Sequence, residues 1–325
     1  MRRGFIAAVI ATALLGAGSA ASAQEFPTKP VTIVVPFAAG GPTDTVTRLV
    51  AQSMTGTLGQ QVIVENVGGA GGTLGAARVA KADPDGYTLL LHHIGQATSA
   101  TLYRKLSYDP AKDFAPIGIV ADVPMTVVAR KDFPAADMKA LIEQAKAEGD
   151  AITYANAGIG SASHLCGMLL MQALDVPLTT VAYKGTAPAM NDLLGGQVDL
   201  MCDQTTNTTS QIKGGTIKVY AVTTTERLPS LPDVPTTAES GLPDVQVGVW
   251  HGLYAPAGTD PAVVTRLEEA LQAAVTDPNV TQRLAELGAT PATAETATPE
   301  ALEQLVTSEI ARWRPVIEAA GQYAD

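Results

Sequence analysis

Positively charged residues and cysteines are scarce in this chain of 325 residues. Its 21 Lys and Arg face 32 Asp and Glu, which gives a formal net charge of −11. This charge disfavours a nucleic-acid partner, and an anionic ligand has to be attracted by local dipoles rather than by the net field. Two cysteines leave a disulfide and two buried thiols as alternatives, because the sequence does not give the distance between Cys166 and Cys202.

Long apolar runs are lacking after residue 23. No run in that part of the sequence approaches the roughly 18 residues that a membrane span needs. Arg2 and Arg3 precede an apolar stretch over residues 5–15, and Ala21-Ser22-Ala23 has the small residues of a signal-peptide cleavage site. We therefore predict a signal peptide over residues 1–23 and an exported protein. A lipid anchor is not expected, because no cysteine follows the predicted cleavage site.

Catalytic and metal-binding patterns are lacking as well. Neither H-x-x-x-H nor H-E-x-x-H spacing occurs among the four histidines, which are His92, His93, His164 and His251. Residues 160–163 do not form the G-x-S-x-G turn of a hydrolase, and the glycines at 68–72 do not fit the G-x-G-x-x-G of a dinucleotide site. We expect no metal, no cofactor and no enzymatic activity. A secreted serine-type hydrolase using Ser161 or Ser163 is the alternative, and a structural envelope protein is a third class.

The sequence does contain two strand-to-helix turns that can hold an anion. The β-branched run 31–35 stops before Gly40-Gly41-Pro42, and a second strand at 152–155 leads through Gly158 and Gly160 into a helix. The first amides of a helix lack intrahelical partners, and the helix dipole makes that end positive, so a carboxylate or phosphate can bind there without arginine. An ordinary connection at the first turn, and helix capping by serine at the second, are the alternatives.

Strands and helices alternate along the chain, which predicts an α/β fold with parallel sheets. Apolar residues 117–130, split at Asp122-Val123-Pro124, and the proline-rich segment 228–243 predict two crossovers between two lobes. We place the first domain at residues 24–122 and 226–325 and the second at residues 123–225. Ligands of such sheets lie beyond the carboxyl ends of the strands, so both glycine-rich helix starts are expected to face one cleft.

Several short motifs, spread along nearly the whole predicted mature chain, form one combined pattern. They include Pro36-Phe37-Ala38-Ala39-Gly40-Gly41-Pro42-Thr43-Asp44, Asp83-Pro84-Asp85-Gly86-Tyr87-Thr88-Leu89, Gly160-Ser161-Ala162-Ser163-His164-Leu165 and Leu193-Leu194-Gly195-Gly196-Gln197-Val198-Asp199. With these motifs the chain resembles the periplasmic solute-binding proteins of tripartite tricarboxylate transporters, the TctC or Bug family. The resemblance implies a two-lobed type II periplasmic-binding-protein fold, with two parallel-sheet domains joined by two crossovers. It also implies a monomeric periplasmic protein that closes on a carboxylated metabolite and delivers it to membrane subunits.

The resemblance further implies how one carboxylate is held. Backbone amides and small hydroxyls of a loop in each lobe clamp it, with ordered water helping. Carried over by position, the residues of this clamp are Ala39, Gly40 and Thr43 in the first lobe and Gly160, Ser161 and Ala162 in the second. Phe37 and Asp44 of the first loop are further ligand-binding candidates.

This sequence departs from the usual family pattern at residues 92–96 and 202–205, where the far end of the ligand is expected. The residues that we expect to read that end are His93, Gln96, Cys202 and Asp203. They favour a ligand with a second polar group, such as a dicarboxylate, a tricarboxylate or an aromatic diacid like terephthalate. The alternative is that His93 and Gln96 only fix their own loop.

Overall fold

The computed structural model describes residues 26–321, 323 and 324, so the signal peptide predicted at 1–23 lies outside the described residues. The strands are β1 (Val31–Val35), β2 (Val62–Asn66), β3 (Thr88–His93), β4 (Phe114–Arg130), β5 (Thr153–Asn156), β6 (Thr179–Ala182), β7 (Leu200–Gln204), β8 (Ile217–Val222), β9 (Gly248–Pro256) and β10 (Thr290–Pro291). The helices are α1 (Pro42–Leu58), α2 (Thr73–Ala80), α3 (Gly95–Leu102), α4 (Met138–Glu148), α5 (Ala162–Leu174), α6 (Thr186–Leu194), α7 (Thr205–Lys213), α8 (Pro261–Val275), α9 (Pro278–Glu286) and α10 (Pro299–Ala320). In the described part of the chain, no helix is long and apolar enough to cross a membrane.

The strands form two half-sheets that share the long strand β4. Their order is β2-β1-β3-β9-β4-β7-β5-β6, with β8 and β10 also paired to β4. The outer strands β2-β1-β3 and β7-β5-β6 are parallel, whereas β4 and β9 join them antiparallel. The α/β class is thus confirmed, and each half-sheet is mixed rather than parallel throughout. The reason is that β4 leaves the first half and β9 returns to it, so these two strands run in opposite directions.

The first predicted crossover is one continuous strand rather than two apolar runs. β4 pairs with β9 up to Pro124, which lies opposite Gly248 at the start of β9, and with β7 from Met125 onward. A proline is tolerated here because one set of ladder partners ends and another begins at this point. The change of partners marks the junction between the two halves. The exact domain boundaries that we placed around it stay a prediction.

Helix packing fixes where the first helix start points. Val46, Val50 and Met54 follow one another on one face of α1 and are fully buried with Leu267 and Leu271 of α8. This spacing of four residues gives α1 a continuous apolar stripe against the first half-sheet. The N-terminus of α1 is thereby held just beyond the carboxyl end of β1.

The two cysteines form a disulfide, which decides between the alternatives that the sequence left open. Cys166 in α5 and Cys202 in β7 have Cα atoms 6.1 Å apart, within the range that a disulfide requires. The bond ties the first turns of α5 to the carboxyl end of β7. It therefore connects the two regions of the second half in which we expect ligand-binding residues.

Candidate functional site

The start of α1 forms the first wall of the site. Gly41 caps the helix in an extended conformation and Pro42 occupies its first position, where a missing N–H costs nothing. The amides of the next residues, Thr43 and Asp44, have no intrahelical acceptor. The side chains of Pro42 and Thr43 are buried against the space between the half-sheets.

The Asp44 carboxylate holds this turn in place. Its Oδ2 accepts hydrogen bonds from the Gly40 amide and from Arg48 Nε, both at 2.9 Å, and its Oδ1 accepts one from Asn66 Nδ2 at 2.9 Å. Burial alone would raise the pKa of Asp44, but the hydrogen bonds from Arg48, Gly40 and Asn66 outweigh it and lower the pKa. Both oxygens are thus already occupied, and the residue positions the loop.

Two hydrogen bonds determine which ring nitrogen of His251, a neighbour of Thr43, carries the hydrogen. His251 Nδ1 lies 3.2 Å from the Val249 carbonyl oxygen, which can only accept, so Nδ1 carries the hydrogen. His251 Nε2 then accepts from the Thr43 hydroxyl at 3.4 Å. The Thr43 hydroxyl is therefore turned towards the histidine, and the Thr43 amide remains as the donor towards the cavity. Burial lowers the pKa of His251 to about 4, so its ring is neutral at pH 7.

His93 provides a further donor on the same wall. Its Nδ1 accepts from the Gly95 amide at 3.0 Å, so the hydrogen of the neutral ring sits on Nε2. Phe37 stacks on the ring with centroids 4.6 Å apart. Burial, reinforced by the neighbouring His92 and His251, lowers the pKa of His93 well below its usual value. The imidazole therefore acts as a neutral hydrogen-bond donor.

The start of α5 forms the opposite wall. Ser161 caps the helix by accepting from the His164 amide at 3.2 Å, and its own amide donates to the Gly158 carbonyl. Ser163 Oγ lies 3.1 Å from Ser161 Oγ and accepts from the Ala157 amide at 2.9 Å. The two hydroxyls thus belong to the capping network. The amide of Ala162, the first helical residue, has no intrahelical partner.

Polar side chains at the end of β7 complete the site with acceptors. Asp203 is 1% exposed and Gln204 is 3% exposed. Asp203 Oδ2 accepts from Asn207 Nδ2 at 2.5 Å, whereas Asp203 Oδ1 has no hydrogen-bond partner within the described residues. Burial raises the pKa of Asp203 to about 6, although Asn207, the Gln204 amide and the nearby Thr186 hydroxyl act in the opposite direction.

These walls enclose one cavity between the half-sheets. Its volume is about 10 Å³, near the smallest space that holds one water molecule. Six of the residues selected from the sequence line it, namely Phe37, Thr43, His93, Ser161, Ala162 and Asp203. Six further lining residues are Gly41, Pro42, Ala157, Ser163, Thr186 and Gln204. Of these, Gln204 is the last residue of β7 and lies in the segment 202–205 that the sequence indicated, and Thr186, the first residue of α6 after β6, would have been found by the rule of carboxyl strand ends.

The other six selected residues lie around the cavity without lining it. Ala39 and Gly40 are exposed, and Asp44 is engaged as described above. The Gln96 side chain donates to the Pro110 carbonyl at 3.2 Å. Gly160 donates to His164 and accepts from Thr98, and Cys202 is in the disulfide. A direct ligand contact from these six residues stays a prediction.

The two halves touch along the rim of the cavity. The Ala38 amide donates to the Lys184 carbonyl at 3.0 Å, and the Tyr103 hydroxyl shares its one hydrogen between the Ile159 carbonyl at 2.7 Å and the Ala70 carbonyl at 2.6 Å. Gly71 approaches the same carbonyl so closely that a Cβ atom on it would lie 1.8 Å from the oxygen. The described arrangement is therefore closed.

Known proteins share this architecture. The family model of the tripartite tricarboxylate transporter family receptor, TctC, matches residues 46–322. A protein of Agrobacterium vitis, named for the TAR-I ttuE-ttuC' intergenic region, is 52% identical and covers 97% of this chain and 91% of its own length. The periplasmic binding protein BugD has a TM-score of 0.91 and 54% identity over 92% of this chain and 100% of its own. MatC from Rhodopseudomonas palustris, with bound malate, has a TM-score of 0.88 and 45% identity over 90% of this chain and 100% of its own.

These matches confirm the family resemblance and the fold class that the sequence predicted. The matched residues 46–322 include α5, both cysteines and Asp203. The chain therefore belongs to the tripartite tricarboxylate transporter receptor family, TctC, and has the fold of its periplasmic binding proteins.

Proposed function

We propose that this protein binds a carboxylated small molecule in the cavity between its halves and delivers it to the membrane subunits of a tripartite tricarboxylate transporter. One observation carries the proposal: the N-termini of α1 and α5 open into the same cavity, and its described lining contains no Lys or Arg. Helix starts attract anions through their dipoles and their unpaired amides. The malate in MatC supports a carboxylate as the anion.

Three donors are available to one carboxylate group, and one of them is on His93, which we expected from the sequence to meet the far end of the ligand instead. They are the amides of Thr43 and Ala162 and the Nε2 hydrogen of His93, which all belong to residues lining the cavity. Hydrogen bonds to a charged group contribute about 1.5–3 kcal/mol each. A chain with a net charge of −11 can thus hold an anion without a cationic side chain.

Binding requires the two halves to separate and close again. A cavity of about 10 Å³ does not admit a carboxylic acid from solution, so the rim contacts have to open first. The strands β4 and β9 connect the halves, and we propose that residues 24–122 with 226–325 move relative to residues 123–225. Small-angle X-ray scattering tests this, since the radius of gyration should fall when ligand is added. An unchanged radius at saturating ligand would count against closure in solution.

We propose that the protein acts as a monomer in the periplasm after removal of residues 1–23, and that it binds without chemical conversion. The capping roles of Ser161 and Ser163 favour binding over the hydrolase alternative. Native mass spectrometry of the mature protein, incubated with mono-, di- and tricarboxylic acids and their methyl esters, separates the two. We expect one unaltered carboxylate per chain. Catalytic release of acid from an ester would contradict the proposal.

A further inference from the structure

One wall of the cavity offers hydrogen-bond acceptors that the protein itself does not use. Asp203 Oδ1 and Gln204 Oε1 have no hydrogen-bond partner in the described residues, and both side chains are at most 3% exposed. The Thr186 hydroxyl, 6% exposed, lies near Asp203 and lowers its pKa, and because a hydroxyl donates as well as accepts, it does not by itself require a donor from the ligand. All three residues line the cavity that contains the two helix starts. A buried acceptor without a donor costs about 1–3 kcal/mol, so this wall calls for a donor from the ligand.

The carboxylate of the ligand cannot satisfy this wall. A carboxylate only accepts hydrogen bonds, and beside Asp203 it would meet a second negative charge. Burial raises the pKa of Asp203 to about 6, and a carboxylate placed beside it would raise this pKa further, at a cost in binding free energy. Gln204 can turn its amide to present either oxygen or nitrogen, so Asp203 decides the polarity of the wall.

Asp203 is also held in a fixed orientation. Asn207 donates to its Oδ2, the Thr126 hydroxyl donates to its backbone carbonyl at 3.1 Å, and the preceding residue is tied to α5 by the disulfide. Its free Oδ1 is thus preorganised, as a selective acceptor has to be. The donors that suit the ligand carboxylate, from Thr43, Ala162 and His93, belong to the other walls.

We propose that the ligand carries a hydrogen-bond donor, a hydroxyl or an ammonium group, within a few bonds of its carboxylate, and that Asp203 accepts from this donor. The inference rests on the function proposed above and narrows its ligand class. Plain dicarboxylates, which offer the acceptor wall only another anion, are bound more weakly than their hydroxy or amino derivatives.

Three series of acids with matched skeletons test this by titration calorimetry at pH 7.5. They are propionate, lactate and alanine; succinate, malate and aspartate; and glutarate, 2-hydroxyglutarate and glutamate. Within any series that binds, we expect the hydroxy or the amino member to bind at least tenfold more tightly than the parent acid. The member that gains identifies the donor as hydroxyl or ammonium.

Two variants assign the effect to Asp203. Asp203→Ala should remove the preference for either donor, and Asp203→Asn, which keeps the shape and the contact to Asn207, should remove a preference for ammonium. Asp122→Asn, at a carboxylate outside the cavity, should leave the preference unchanged. If the parent acids bind as tightly as their derivatives, or if the preference survives in Asp203→Ala, the inference is overturned while the proposed function stands. If another carboxylic acid binds but no hydroxy or amino member of these series does, the inference is likewise overturned, whereas binding of no carboxylic acid at all would contradict the proposed function as well.

Discussion

Replacing Ala162 by proline removes one candidate ligand donor with little disturbance of the helix that carries it. Ala162 is the first residue of α5, a position that proline favours because its N–H has no intrahelical acceptor. The preceding Ser161 has φ −68° and ψ 159°, which a residue before proline adopts readily. The amide hydrogen at the cavity is lost, and the ring Cδ takes its place.

The expected effect follows from the charge of the ligand. A hydrogen bond from an amide to a carboxylate contributes about 1.5–3 kcal/mol, which corresponds to a loss of affinity of roughly 10-fold to 150-fold. Because the lost contact is to the carboxylate itself, every carboxylate should lose the same factor. Ligand-free Ala162→Pro should unfold within about 1 kcal/mol of the wild type, since no hydrogen bond of the helix is broken.

Titration calorimetry with any acid that binds the wild type measures the effect. Ala162→Gly is the matched control, because it removes the methyl group and keeps the amide. We expect affinity to fall in the proline variant and to remain near the wild-type value in the glycine variant. Equal affinities of wild type and proline variant would show that the start of α5 does not hold the carboxylate.

Three further expectations concern stability and closure. Burial raises the pKa of Asp203 to about 6, above the value near 4 of an unfolded chain, so its contribution to stability is lost as the pH rises through 6. Asp203→Asn should therefore stabilise the ligand-free protein by about 1–3 kcal/mol at pH 7.5 and by little at pH 4 in urea unfolding, and an equal effect at both pH values would refute this. Gly71→Ala should keep the halves apart in small-angle scattering with ligand present, whereas Gly59→Ala, at a similar positive φ but in open space, should close like the wild type. Replacing Cys166 and Cys202 by serine should lower the free energy of unfolding by about 4 kcal/mol, the loop-entropy value for a separation of 36 residues, and an unchanged urea midpoint would contradict it.

The sequence predicted the parts of the site that depend on local backbone chemistry. Glycine, proline and serine at the two strand-to-helix turns indicate where α1 and α5 begin, and both starts reach the cavity. The use of each side chain depended on partners from distant segments. Asp44 accepts a hydrogen bond from Asn66 of β2, which holds its side chain in the loop. Gln96 donates to the Pro110 carbonyl and so does not reach the cavity. Neither partner can be deduced from the turn itself.

The continuous strand β4 was missed for a related reason. Asp122 and Pro124 normally interrupt a strand, and the pattern around them predicted two separate runs. In the fold, Pro124 stands where β4 changes its partner from β9 to β7, so its missing N–H falls at the end of a ladder. A change of partners is a property of the whole sheet and leaves no local signal.

Closure and binding are coupled in this site because residues of both halves line the cavity. The halves meet mainly through backbone groups, as in the bond from Ala38 to Lys184 and in the approach of Gly71 to Ile159, and also through the Tyr103 hydroxyl. Such contacts stabilise the closed state whatever acid is bound, and the apparent affinity depends on how often that state is populated. The shared rim and the two helix starts therefore set the overall strength of binding. Discrimination between acids is left to the wall around Asp203, whose unpartnered acceptor favours the closed state only when the ligand supplies a donor.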